Sequence, residues 1–497
     1  MRESVLVVGA GMAGLCAALA LARSARVITI LDRDPAPPDA DPDAAFTDWQ
    51  RRGVGHLRHS HAFLARLREF IREEHPGLLA ALLESGAREI PFERSLTERQ
   101  RASYAPQPGD AQLTFLTSRR TTLELVMRAY VANLGNVTIR PDAMVRGLVT
   151  DRVDGALRVL GVSGDEAGAP FEARADVIVD ASGKIGGLAD HLIAQGACIK
   201  EEGESAGILY YTRHYRLRDG QIEPPREGAP PATGDLGYLK FGIFPADNNC
   251  FSVTIAVPEI EMELRKAIVD PDVFQRVSIL IPGLVPWINE DRAEAVSKVF
   301  GMGELKSVWR DFAPDARPAA LNFFALGDAH VRTNPLYGRG CSFAAAGAQA
   351  LRAALDGSSD AHARALAFEA GLRAALRPYY DAMLKQDRGA IRRARQALDP
   401  AHTPSLRGRI IKGFAEDAVG VALRGDVDLL RQALRAFHMI DPPDAWIKKP
   451  AVMARILGYW ARGKRANAAL YPPKAGPERA ALFAGAGLNA RADLIAA

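Results

Sequence analysis

The chain has 497 residues, of which 48% are apolar and 25% charged, and a formal net charge of +4. These values describe a globular protein of two or three domains, and they exclude a disordered chain and a nucleic-acid binder built on a concentrated basic stripe. No run of about 18 uninterrupted apolar residues occurs, so no membrane-spanning segment is expected. The four cysteines, Cys16, Cys198, Cys250 and Cys341, form no CxxC pair, which argues against a disulfide framework or a zinc ribbon and suits a reducing cytoplasm.

The N-terminal "SVLVVGAGMAGLCAALALA" reads as a buried strand from Val5 to Val8, a glycine turn and a helix. Its glycines interrupt the apolar run that a secretory leader would need. Gly9-x-Gly11-x-x-Gly14 gives, in order, a tight turn, room for a pyrophosphate and close helix–strand packing, with Met12 and Ala13 inside the turn. The helix start would offer free N–H groups to phosphates. The next strand, "RVITILDRD", ends in Asp32, 18 residues beyond Gly14, where a carboxylate is expected to accept from an adenosine ribose; Arg33 follows it. A dinucleotide site is expected here.

The stretch "WQRRGVGHLRHSHAFLARLREFI" carries His56, His59 and His61. On a helix His56 and His59 would share a face and His61 would not, whereas on a strand only His59 and His61 would. No Cys or Glu completes a ligand set at metal spacing, so no metal site is expected. "TSRRTTLELVMRAYV" opens a helix behind a doubled arginine, Arg119 and Arg120. "ADVIVDASGKIGGLADHL" is a strand ending at Asp180 and then a Ser182-Gly183 turn.

From Ile199 to Leu321 the pattern changes to long alternating runs. "GILYYTRHYRL" and "GYLKFGIFPADNNCFSVTIAVP" read as antiparallel strands, the second a hairpin turning at Asp247-Asn248-Asn249. The Pro/Gly-rich loop "DGQIEPPREGAPPATGD" separates them. "ALNFFALGDAHVRTNPLYGRGCSFAAAGAQALRAAL" then reads as a strand, a Gly327-Asp328 turn, a loop and a small-residue helix starting near Cys341. After about residue 385 the chain reads as helices with short loops.

Taken with the opening glycine motif, this last stretch resembles the flavoprotein monooxygenases of the para-hydroxybenzoate hydroxylase-like superfamily. The resemblance implies an FAD cofactor whose ribityl chain Asp328 binds, with Pro335, Gly338 and Gly340 passing beside the flavin and the helix at Cys341 aimed at it. Within that superfamily "RRGVGHLRHSHAFL" is similar, at Gly53, Val54, His59, His61 and Leu64, to a segment of polyene and polyether epoxidases, and departs from it at Gly55-His56. Arg120, Leu123 and Glu124 fall in the register of a Ser-Arg-x-x-Leu-Glu signature whose Arg contacts FAD; the doubling leaves Arg119 and Arg120 both open. Asp180 lies in an Asp-Ala-Ser-Gly form of the second glycine motif. His59, His61, His330, Pro335 and Arg339 become candidates near the flavin, without an assigned catalytic role.

The implied fold is α/β: a Rossmann-type, glutathione-reductase-like FAD-binding domain (1–85, 112–195 and 310–385), an inserted antiparallel sheet domain for substrate (86–111 and 196–309), and a C-terminal helical region (386–497). Tyr211, Tyr238, Phe241 and Phe244 are candidates to face substrate, although plain sheet core explains each of them equally well. The implied activity is epoxidation or hydroxylation of an apolar, natural-product-like substrate with O2, through a flavin C4a-hydroperoxide. Electrons would come from NAD(P)H, directly or through a partner flavin reductase. Alternatives on the same scaffold are a reductase of prenyl-type double bonds, a non-catalytic prenyl-protein chaperone, and a flavin-dependent halogenase. Halogenases carry Gly-Trp-x-Trp-x-Ile-Pro, and the matching "LKFGIFP" (Leu239–Pro245) lacks both tryptophans. The basic, aromatic C-terminal end is read as a solvated helix face, with contact to an anionic membrane surface as the alternative.

Overall fold

The computed structural model describes residues 2–38, 41–224, 230–399 and 402–489; part of the Pro/Gly-rich loop, residues 225–229, therefore lies outside the described residues.

Apolar runs without alternation form the central sheet. Strands β1 (Ser4–Val8), β2 (Val27–Leu31), β3 (Val137–Arg140), β4 (Val177–Asp180) and β8 (Phe323–Ala325) pair in the order β8-β4-β1-β2-β3, all parallel. Both faces are covered, which is why Val5, Val7, Ile28 and Val179 can be hydrophobic at every position. On one side lie α1 (Met12–Ala22), α2 (Arg120–Ala132) and α3 (Gly340–Gly357). On the other, strands 143–153, 156–166 and 169–174 form an antiparallel meander over Leu6, Val8 and Ile178. Residues far apart in sequence thus build one dinucleotide-type domain.

The second sheet is antiparallel. Strand β5 (Ile208–Leu217) pairs with β7 (Cys250–Pro258), and β7 with β6 (Lys240–Pro245), whose hairpin turns through Asn248 and Asn249, both at positive φ. The period of two separates its faces. Tyr211, Ile255 and Phe241 stand in one cross-strand row, and the next row, Thr212, Thr254 and Gly242, points the opposite way. The first face is packed beneath helices 271–279 and 479–486 through Phe274, Val277, Leu482 and Phe483. The second turns toward the dinucleotide domain.

The expected division at 385/386 falls inside α4 (Ala361–Leu398), a 38-residue helix whose first half packs on α3 through Phe368, Leu372 and Leu376. Neither Pro378 nor the stretch around residue 385 interrupts this helix. The strands 200–205 and 306–311, which the expected boundaries at 195/196 and 309/310 set near domain edges, pair with one another.

Candidate functional site

The glycine turn lies where β1 meets α1. A Cβ on Gly14 would stand 1.8 Å from the Gly9 carbonyl oxygen, so that position is closed to any side chain. A Cβ on Gly11 would meet nothing within 4 Å. Open space over one glycine and none over the other is the shape of a phosphate cradle. Met12 is buried in the core and Ala13 is half-buried. Gly327 approaches this turn so closely that its own Cβ would sit 2.6 Å from that of Ala13, which brings Asp328 to the start of α1.

Asp32 is buried at the end of β2. Its Oδ2 accepts from Arg51 Nη2 at 3.2 Å and Arg128 Nη1 at 2.5 Å, while Oδ1 has only a long contact, 3.5 Å, from the Asp34 amide. Lone pairs on Oδ1 are therefore available to a ribose hydroxyl. Arg51 spans the site: it also donates to the Ala10 carbonyl at 3.2 Å, to Glu124 Oε2 at 2.9 Å and to Asp34 Oδ2 at 3.4 Å. Sequence reasoning passed over Arg51, although it stands two residues before Gly53 in the segment already singled out. Arg33 lies aside, its guanidinium over Gly53.

The two candidate arginines part company. Arg119 donates through Nε to Asp247 Oδ2 at 2.9 Å and pairs with Asp43 at 2.6 Å, tying α2 to the β6–β7 turn. Arg120 points the other way. Its Nε donates to Glu124 Oε1 at 2.7 Å and its Nη1 stands 3.3 Å from His61 Nε2. Burial works against the charge of Arg120, and Glu124, Cys341 and Asp328 outweigh it. Burial pushes the Asp328 carboxyl up, with Arg120 opposing it, and raises the Cys341 thiol to about 11. The Asp328 carboxyl makes no hydrogen bond to protein among the described residues, and the residue keeps part of its surface open. Arg120, Asp328 and Cys341 thus converge where α3 begins.

The histidines serve this junction. His61 Nδ1 lies 2.8 Å from the His59 carbonyl oxygen, so it carries the proton and donates. The lone pair on Nε2 is then free to accept from Arg120, and burial together with Arg120 holds the imidazole neutral, its pKa well below the usual value. His59 faces the sheet, 3.1 Å from Thr212 Oγ1, and burial lowers its pKa to about 4. Ser60 bridges Ser252 and Thr254, each at 2.6 Å. No metal-ligand cluster occurs among the described residues.

Other expected residues fall elsewhere. Tyr211 and Phe241 are core on the outer face of the sheet, and Tyr238, in the bend before β6, joins the same core; Tyr211 donates to the Arg265 carbonyl and Tyr238 to the Pro477 carbonyl. The expectation that they face substrate is corrected, because the strand parity of Tyr211 and Phe241 points them away from the dinucleotide domain and Tyr238 packs in the same core. Phe244 has the other parity and shares a row with Ser252 and His214. Asp180 accepts from both the amide and the hydroxyl of Ser182 and shapes the turn beside Gly9. His330 is buried against Glu369 Oε1 at 2.9 Å. Pro335 and Gly340 are exposed and Gly338 half-buried. Arg339 is buried between the Tyr337 and Tyr379 rings. Asn334, which sequence reasoning missed, accepts from Tyr210 OH at 2.6 Å and donates to Asp387 at 2.8 Å, fixing the loop that carries Pro335.

Comparison with known proteins matches residues 4–201 to the FAD_binding_2 family, described as an FAD binding domain. Protein Rv3254 of Mycobacterium tuberculosis (strain ATCC 25618 / H37Rv) is 29% identical over 44% of this chain and 46% of its own length. A kynurenine 3-monooxygenase of Salinispora arenicola (strain CNS-205) is 30% identical over 37% of this chain and 36% of its own. The chain therefore spans under half the length of the curated relatives it matches. Among solved structures, the flavin-dependent brominase Bmp2 superposes with a TM-score of 0.60 at 17% identity, covering 93% of this chain and all of that one; this likeness concerns the fold.

Proposed function

The chain carries an FAD-binding domain within the fold of flavin-dependent monooxygenases and halogenases, and from that premise we propose that it is an FAD-dependent monooxygenase that hydroxylates or epoxidises an apolar organic substrate. The observation that supports this reading best is the convergence of Arg120 and Asp328 at the start of α3, beside a glycine turn with open space at Gly11.

These residues fit FAD. The free amides of the α1 N-terminus and the Arg51 guanidinium would take the pyrophosphate, Asp32 Oδ1 the adenosine ribose, and Asp328 the ribityl hydroxyls. Arg120 is the member of its pair that we place beside the cofactor. When bound, FAD supplies the redox chemistry, taking electrons that originate from NAD(P)H, directly or through a flavin reductase, and passing them to O2 so that one oxygen atom reaches the substrate. The protein's part is positional and electrostatic. Neutral His61 holds Arg120 in place without adding a second cation, and the Ser60–Thr212–Thr254 hydroxyl cluster seals the histidine segment against the sheet.

The test is a visible spectrum of the purified protein reconstituted with FAD, followed by reduction and exposure to isotopically labelled dioxygen with a panel of polyene and polycyclic aromatic compounds. A yellow protein that places labelled oxygen in product supports the reading. Halogenated product in the presence of bromide would favour a halogenase, and saturation of a double bond a reductase. Failure of wild-type protein to hold FAD, or full flavin occupancy in Asp328→Ala, would sink the assignment of the site.

A further inference from the structure

Helix α5 (Leu406–Gly413) leads through a π-helical segment, Phe414–Gly420, into residues 421–425 as one continuous helical run. Its first half is open to water: every residue from Thr403 to Lys412 is exposed. Yet Leu406, Ile410 and Ile411 show 67%, 52% and 58% of their surface to water. A helix end without tertiary contacts draws no stability from burial, and aliphatic side chains there lower solubility without helping the fold.

The apolar stripe continues onto a second element. Phe414 meets Trp460 of α6 (Pro450–Ala466) edge-on at 5.7 Å between ring centres, and Trp460 and Leu457, one turn apart, are 39% and 44% exposed. Basic side chains interleave with the aliphatic residues of this stripe on α5. Arg407 and Arg409 have no acidic partner among the described residues, while Lys412 is the one that meets Glu416. Aliphatic residues and an indole, with two unpaired guanidinium groups among them, are the composition of a surface that lies in the headgroup region of an anionic bilayer. No helix among the described residues is long and apolar enough to cross a membrane, so the contact would be peripheral.

We propose that the Leu406–Phe414 end of this helical run, with Trp460 and Leu457, docks the protein onto an anionic lipid surface. The charge pattern is what selects lipid phosphate over a second copy of this chain, since a copy would set the same unpaired arginines against each other. The surface is separate from the dinucleotide site, so its test does not depend on the chemistry proposed there.

The experiment is co-sedimentation of the full-length protein with vesicles of phosphatidylcholine alone or with one-third phosphatidylglycerol, at low and high salt. Wild type is expected to sediment with the anionic vesicles only, and less as salt rises. Ile410→Glu combined with Ile411→Glu, and separately Arg407→Glu combined with Arg409→Glu, are each expected to weaken partitioning about tenfold or more. Their melting temperatures should stay unchanged, because these side chains are exposed. Equal binding by wild type and both double variants, or no binding of wild type to anionic vesicles, would overturn the proposal. So would an assembly that the Ile410→Glu, Ile411→Glu variant dissociates while vesicle binding is absent, which would make the stripe a contact between copies.

Discussion

Arg119 Nε donates to Asp247 Oδ2 at 2.9 Å across 128 positions of sequence, while Arg120, its neighbour, turns its guanidinium toward Glu124 and His61. Asp247 is fully buried and also accepts from the Arg119 amide at 2.7 Å and Thr122 Oγ1 at 2.8 Å. One arginine therefore ties the start of α2 to the β6–β7 turn, and the other faces the proposed cofactor.

The two should separate experimentally. Arg119→Met leaves a buried carboxylate without its cation and is expected to cost about 3–5 kcal/mol of stability, read as a lowered melting temperature, while the folded fraction still binds FAD. Arg120→Met keeps Glu124 paired with Arg51 and is expected to lose FAD affinity first, about tenfold or more, which is about 1.4 kcal/mol. Fluorescence titration with FAD decides: equal FAD affinities in the two variants would contradict the division of roles.

The glycine turn gives a second contrast. Gly14→Ala would drive a methyl group into the Gly9 carbonyl at 1.8 Å, so the strand and helix must move apart and the variant is expected to be recovered poorly or unfolded. Gly11→Ala has room in the protein, and its melting temperature without cofactor should match wild type. The new methyl group would occupy the space we assign to the pyrophosphate, so FAD affinity should fall about tenfold or more, again about 1.4 kcal/mol. Calorimetry with and without FAD measures both effects. Undiminished FAD binding by Gly11→Ala would remove the phosphate from this turn.

Much of the dinucleotide domain was legible because its signals are local. Gly9, Gly11 and Gly14 act within one turn, and Asp32 follows at the end of the next strand. What stayed hidden depends on long-range placement. The sequence could not choose between Arg119 and Arg120, because the choice is made by Asp247 on a hairpin far along the chain. Nor could it orient the aromatic residues of the sheet. Tyr211 and Phe241 look as suitable for a pocket as Phe244, and only the register with Ile255 or Ser252 shows which face each takes. Arg51 carries no local signal of its role, because its partners Asp34, Asp32 and Glu124 lie 17, 19 and 73 positions away.

That register makes a third prediction. Phe241 is 5% exposed within the core beneath helix 271–279, and Phe241→Ala should cost about 3–5 kcal/mol through the cavity it leaves. Phe244, on the face turned toward the dinucleotide domain and only partly buried, should cost less than about 1.5 kcal/mol as Phe244→Leu, which largely conserves apolar volume. If Phe244 meets substrate, that variant will change substrate binding at near-native stability. Denaturant melts of both variants test the assignment of faces: similar losses would mean that both faces are equally packed.

Acid should unfold this protein through histidines held neutral. Burial lowers the pKa of His59, His214 and His438 from 6.5 to about 4 each. In the unfolded chain they regain ordinary values, so between pH 6.5 and 4 the unfolded state binds protons that the folded state refuses. Stability is therefore unaffected by these groups above pH 6.5 and falls as the pH drops toward 4. One such histidine is expected to cost about 2 kcal/mol at pH 5 and about 3 kcal/mol by pH 4. Melting temperatures from pH 7.5 to 4.5 in buffers of matched ionic strength, where His214→Gln should flatten the slope by one histidine's share, provide the check. The imidazole of His214 lies with Nε2 3.0 Å from the Arg58 carbonyl oxygen, which requires the proton on Nε2, and a glutamine amide can make the same donation without titrating. An unchanged slope in that variant would mean that His214 titrates normally in the folded protein and that the buried junction between histidine segment and sheet admits a charge.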